Sequence, residues 1–182
     1  MKADFTTEFI SIIENDTWML HILETVRNLH LPDCWIGAGF VRNKIWDYKH
    51  NNKKTSLNDV DIIYFDKSDI TKAREFVLEE HLKAINPSVN WSVKNQARMH
   101  VRNGHSPYKN CYEAISYWPE TATAIAIQLN SNNQIKHIAP YGLEDAFNLV
   151  VRPTPNFDLT TYHNRIARKK WDDTWKMLVV EE

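Results

Sequence analysis

An α/β (α+β) domain built on a small mixed β-sheet flanked by helices is the fold class the sequence predicts, and three observations carry it. The stretch "NDVDIIYFD", residues 58–66, alternates so that Asp59, Asp61, Ile63 and Phe65 share one face and Val60, Ile62 and Tyr64 the other. Both faces soon become apolar, the pattern of a strand covered on two sides. Strands and helices then alternate along the chain, which requires a crossover. The pair "TATAIAIQL" and "IKHIAP", joined by "NSNNQ", reads as a hairpin, so the sheet is mixed.

The elements follow in order. Residues 1–31 form an N-terminal helical section: "FTTEFISII", then "DTWMLHILETVRNLHL", with Asp16 as N-cap and Met19, Leu23, Val26 and Leu29 at helical spacing. Pro32 ends it. Residues 32–152 form the core. "CWIG" is a short strand, and Gly37-Ala38-Gly39 turns sharply into the helix "FVRNKIWDYKH", with Val41, Ile45 and Tyr48 on one side. After the polar loop "NNKKTSL" and the acidic strand, "DITKAREFVLEEHLKAI" is an amphipathic helix, and "NWSVKNQARMH" is read as one strand. A short helix and the hairpin follow, "PYGLED" turns at Gly142, and residues 153–182 supply a C-terminal helix. The whole chain is read as a single domain, 1–182.

Bulk properties exclude several function classes. At 182 residues the chain is long enough to bury a substantial core, and a net charge of -1 does not suit a protein that coats duplex DNA. Cys34 and Cys111 fit no metal or CxxC spacing and read as reduced thiols, and the eight histidines show no ligand spacing. No apolar run approaches the roughly 20 residues of a membrane span, and "MKADFTTEF" does not resemble a signal peptide. The expected location is the cytoplasm.

Three pieces invite a chemical reading. A glycine turn at a strand-to-helix junction, "GAGFVRN", lets backbone N–H groups approach a phosphate, or is simply a tight turn. Arg42 in the first helical turn opposes the macrodipole, which favours an anion outside. Asp59 and Asp61 stand roughly 6–7 Å apart along their strand and repel, so a cation belongs between them. Magnesium, which takes one or two carboxylates plus phosphate oxygens and water, is that cation; an Asx turn at the strand entry is the structural alternative. On "WSVKNQARMH", Asn95 is the polar residue of the apolar face, and Lys94 and Arg98 lie on the polar face as phosphate contacts or as a solvated pair. "RIARKKWDDTWKML" is read as an amphipathic helix that packs its tryptophans and solvates its basic side, with RNA stacking as the alternative.

A glycine turn followed by an acid-apolar-acid motif on the next strand resembles the polymerase-β-type nucleotidyltransferase superfamily. "GAGFVRNKIWD", "LNDVDIIYFD", "WSVKNQARMH", "WPETATAI" and "APYGLEDAF" together resemble a bacterial nucleotidyltransferase-like family across residues 35–152. The resemblance implies a nucleoside triphosphate against Gly37, Ala38, Gly39 and Arg42, assisted by Lys94 or Arg98, with Asp59 and Asp61 holding Mg²⁺. It also implies that Asn95 occupies the place of the superfamily's third carboxylate. An amide binds metal but cannot act as a base. The nineteen residues between Gly39 and Asp59 exceed the usual connection and are expected to fold away from the site. Two functions follow: transfer of a nucleoside monophosphate to a hydroxyl of a small molecule, protein or RNA, or nucleotide binding without turnover.

Overall fold

Alternation of apolar and polar side chains decides which face of each strand is buried, and the computed structural model, which describes residues 5–155 and 157–181, shows the result. Five strands, β1 (Trp35–Gly37), β2 (Val60–Tyr64), β3 (Trp91–Asn95), β4 (Ala126–Leu129) and β5 (Ile135–Ile138), form a sheet in the order β3-β2-β1-β4-β5. Only β2 and β3 are parallel; the other neighbours are antiparallel, and β4 and β5 form the expected hairpin. The sheet is therefore mixed.

The two faces of β2 separate as its sequence requires. Val60, Ile62 and Tyr64 enter the main core with Ile36, Val93 and Ile127, whereas Ile63 joins a smaller cluster with Trp35, Ala126, Cys111 and Ile115, against which Phe65 and Trp118 pack. Ile62 and Ile63 are both buried, which accounts for a strand apolar on two sides.

Helices α1 (Thr6–Glu14), α2 (Thr17–Arg27), α3 (Gly39–Lys49) and α4 (Lys72–Ile85) all send side chains into the main core. Asp16 caps α2 by accepting from the Met19 N–H at 3.0 Å, and Thr71 caps α4. In α3 the inward residues include Val41, Ile45 and Trp46, while Tyr48 stays half exposed, because the inward stripe runs through Trp46 instead. The second cluster lies under α6 (Cys111–Ser116). Cys34 and Cys111 are free thiols, and burial pushes that of Cys34 up to about 12.

Two segments depart from expectation. The strand at Trp91 stops at Asn95, where the chain turns into α5 (Gln96–Asn103). Asn95 is the N-cap, its Oδ1 accepting from the Ala97 N–H at 3.0 Å, so Asn95 ends the strand instead of continuing it. The C-terminal segment is also not one helix. α8 (Leu159–Lys169) ends at Lys170, which is left-handed with φ 47°, and the short α9 (Trp171–Thr174) follows. Between α6 and α8 lie α7 (Glu144–Phe147) and β6 (Val150–Val151), and β6 pairs with the final strand β7 (Val179–Val180). That pairing returns the C-terminal segment to the core, where Tyr162, Trp171 and Trp175 are buried.

Candidate active site

The antiparallel register of β1 and β2 sets Gly37 opposite Asp61, so the end of the strand that carries the glycine turn lies beside the acidic end of the next. Directly paired residues share a face, and Asp61 therefore projects from the side of the sheet opposite the main core. The entry of β2 is pinned: the Asn90 amide donates to the Asn58 carbonyl at 2.8 Å, and the Val60 N–H donates to the Asn90 carbonyl at 2.9 Å. Asp59 is held between them.

Ala38, Gly39, Arg42, Asp59 and Asp61 line one cleft of about 410 Å³, within the range of small-molecule sites. Its remaining walls were not foreseen. Residues 55–58 of the long loop line it, because Asp47 accepts from the Thr55 N–H at 2.8 Å and from the Thr55 hydroxyl. The expectation that this loop folds away is thus corrected by one buried carboxylate that ties it to α3. Asp47 also accepts from the Trp175 indole at 2.8 Å, which fixes the C-terminal segment to the same point.

That segment supplies the opposite wall, including Arg165, Lys169 and Trp171. Arg42 is buried with its guanidinium 4.9 Å from the Trp46 ring and 4.2 Å from the Trp171 ring, and it donates to Thr123 Oγ1 at 2.9 Å. Burial is the main reason its pKa falls to about 10, with Arg165 lowering it further against the pull of Glu120 and Asp61. It stays protonated at neutral pH. Arg165 pairs with the fully buried Glu120. Lys169 is exposed, and its pKa is lowered by desolvation and then by Arg165 and Arg42, with Asp59 acting in the other direction. The basic side of α8 therefore faces the acidic pair, and its 165/169 spacing, one helical turn, was the available signal.

Burial, and then Asp59, raise the pKa of Asp61; Ser92, Lys94 and Arg42 act against that rise. Neither aspartate is neutralised by an ion pair with a described residue, since Lys94 binds Glu79 and Arg165 binds Glu120. Two hard oxygen ligands left without a cation are a donor set suited to Mg²⁺. Among the described residues no group of three or more His, Cys, Asp or Glu could hold a metal ion.

The structure does not bring the other predicted residues to the cleft. Asn95 pairs with Tyr64 at the far end of β2, whereas Asp61 pairs with Ser92. In parallel register that puts Asn95 on the main-core face, opposite Asp61. Its amide is satisfied: Nδ2 donates to the carbonyls of Asp66 and Asp69 at 2.7 and 2.9 Å, and Oδ1 also accepts from the Asp66 N–H at 3.1 Å. Arg98 lies on α5 and binds the buried Glu75, and Lys94 binds Glu79 at 2.7 Å; neither lines the cleft. Gly37 is required by packing, since a Cβ there would stand 2.8 Å from the Trp118 ring and 3.0 Å from the Ile125 carbonyl.

Ala38 has φ 54° and ψ −126°, a conformation open to glycine and strained for any other residue. Ala38→Gly is expected to raise folding stability by about 1 kcal/mol through relief of that strain, against the added entropy of the unfolded chain. Urea unfolding measures it, and a loss of stability would show that the Ala38 methyl makes compensating contacts.

A model of the nucleotidyltransferase family matches residues 24–180. Among solved structures, a protein whose NMR structure "reveals a CCA-adding enzyme head domain" is 34% identical over 97% of this chain and 95% of its own, with a TM-score of 0.85. A CCA-adding enzyme in complex with CTP is 16% identical, with a TM-score of 0.62 over 99% of this chain. The Thermotoga maritima CCA-adding enzyme complexed with tRNA shows 16% identity and a TM-score of 0.59, again over 99% of this chain. At that identity the likeness is one of fold, and the chain spans less than half of those two enzymes, 44% and 43%. No curated protein matches the chain. The matched family model covers all of the sheet and both walls of the cleft, so the chain belongs to the nucleotidyltransferase family.

Proposed function

We propose that the protein transfers a nucleoside monophosphate from a nucleoside triphosphate to a hydroxyl acceptor, with Mg²⁺ held by Asp59 and Asp61. The observation that carries this reading is one cleft in which two unneutralised carboxylates stand beside a glycine turn and face Arg42, Arg165 and Lys169. Arrangements of this kind suit phosphoryl transfer, which needs placement and charge neutralisation more than covalent chemistry. Mg²⁺ supplies neutralisation of the triphosphate and of the developing charge.

The chain's own groups do the rest. Gly39 opens α3, where backbone N–H groups point outward for an anion. Arg42 and Lys169 bear on the side from which pyrophosphate departs. The acceptor oxygen forms a bond to the α-phosphorus, the bond from that phosphorus to the bridging oxygen of the β-phosphate breaks, and the hydroxyl proton is lost to water in the open cleft. A second reading, a nucleotide-binding module without turnover, is favoured by the lack of a third carboxylate in the cluster among the described residues. Release of pyrophosphate separates the two. No helix among the described residues is long and apolar enough to cross a membrane.

Gly39 provides the test. A Cβ built there meets nothing closer than 3.6 Å, so the protein's own packing does not demand glycine. Gly39→Ala is expected to leave the melting temperature unchanged or raised, as alanine favours the helix by up to about 1 kcal/mol. The same change should remove most of the stabilisation by triphosphate and Mg²⁺, which reaches about 2.7 kcal/mol at a hundredfold excess over Kd. Thermal melts of both proteins with each ligand and with EDTA decide it. A wild-type melting temperature that ignores millimolar triphosphate with Mg²⁺ overturns the proposed site.

A further inference from the structure

A second cleft, of about 520 Å³, opens on the same side of the sheet as Asp61, between α5, α6 and the start of α8. Four of its lining residues are aromatic. Tyr117 is 46% exposed yet stacks on Tyr108 at 5.4 Å between centroids and meets His105 in a tilted contact at 4.4 Å. Trp118 and Phe157 add further aromatic lining, and Asn103, Thr154, Asp158 and Thr161 add polar lining. Tyr108 is buried, and its hydroxyl is held by His105 Nδ1 at 2.5 Å and Asn103 Nδ2 at 3.2 Å. The stack is thus supported from behind and open in front, the arrangement of a platform for a planar ring.

Two connections join this cleft to the first. The Trp118 ring that lines it reaches to 2.8 Å from where a Gly37 Cβ would stand, and Gly37 is the strand partner of Asp61. Helix α8 walls both clefts, contributing Thr161 to the aromatic one and Arg165 and Lys169 to the acidic one. On α8 the cation nearest the aromatic cleft is Arg165, one helical turn from Thr161 and paired with Glu120, while Asp158 lines the aromatic cleft itself. In-line displacement requires the attacking oxygen to arrive opposite the departing pyrophosphate. With the triphosphate against the glycine turn, the acceptor approaches over the open carboxylate face, where the aromatic cleft lies.

We propose that this cleft stacks the base of the acceptor, so that the hydroxyl which is nucleotidylated belongs to a nucleoside, either free or at the end of a single-stranded RNA. The inference rests on the transfer reading of the acidic cleft. A base stacked on an aromatic side chain loses that stack when the ring is removed, which makes Tyr117 the side chain whose loss should be felt most.

The test uses the full chain and two probes, a short single-stranded RNA with a free 3′ hydroxyl and adenosine, each titrated while tryptophan fluorescence is followed. Tyr117→Ala should weaken the bound probe about tenfold or more, and Tyr117→Trp should restore binding. Triphosphate-dependent melting shifts should be the same in wild type and both variants. RNA binding with a Tyr117-dependent affinity identifies a nucleic acid end as acceptor. Adenosine binding alone, with the same dependence, identifies a free nucleoside. If neither probe binds, or if Tyr117→Ala leaves affinity unchanged, the acceptor assignment is overturned. Loss of the melting shift in wild type would instead remove the transfer reading, whatever the probes do.

Discussion

Asp61→Asn is expected to reduce Mg²⁺-dependent pyrophosphate release by about a hundred- to a thousandfold, the scale on which losing one preorganised electrostatic partner of a transition state is felt. The same substitution should stabilise the protein without ligand. Burial and Asp59 raise the Asp61 pKa above its ordinary 3.8, so at neutral pH the folded chain holds an anion that the unfolded chain carries more readily. Folding stability therefore falls as pH rises from 3.8 through the raised value and levels off above it. The variant should exceed wild type in stability at neutral pH, and the difference should vanish in acid, where Asp61 is protonated in both states. Urea melts across that range, together with a pyrophosphate assay, check both halves. A variant that loses stability at neutral pH would mark Asp61 as a fold element held by Ser92, and the metal reading would fail with it.

Arg165→Met is expected to cost about 3 kcal/mol of folding stability, because it strands the buried Glu120 carboxylate without its partner. Glu120 sits on the segment bridged to Pro153, and Arg165 on the helix that walls both clefts, so the pair ties the C-terminal helix to the sheet. The double variant Glu120→Leu with Arg165→Met should recover most of the loss, since replacing a buried pair by apolar side chains is often neutral. A denaturant double-mutant cycle reads the coupling. A single variant within about 0.5 kcal/mol of wild type would show that solvent reaches Glu120 and that the pair is a surface contact. Triphosphate affinity of the double variant then isolates the contribution of the Arg165 charge to the cleft.

Local pattern was enough for much of this. Period-two alternation in residues 58–66 determined that Asp59 and Asp61 stand apart from the main core, and the structure places Val60, Ile62 and Tyr64 in one cluster and Ile63 and Phe65 against the other. Asp16 as N-cap, the glycine turn into a helix, and the hairpin after Thr121 were equally local, because caps and turns involve residues a few positions apart. What pairs with what across the sheet was not local. The register of β2 with β3 sets Ser92, and not Asn95, beside Asp61, and no feature of either strand alone specifies a parallel register. The reading of "WSVKNQARMH" as one strand failed for a related reason: an asparagine side chain that caps a helix competes with strand extension, and the outcome depended on Asp66 and Asp69 being near enough to satisfy its amide.

The sequence by itself determined the sheet's alternation, the acidic pair and the glycine turn, since each is written in spacings of a few residues. Only the tertiary structure decided the rest of the site: Asp47 drawing Thr55 and Trp175 together, Arg42 enclosed by Trp46 and Trp171, and a distant basic helix set against Asp59. The contacts to Trp171, Trp175 and Lys169 join residues a hundred or more positions apart, and they form because the tryptophans of the C-terminal segment must be buried, which carries Arg165 and Lys169 to the cleft with them.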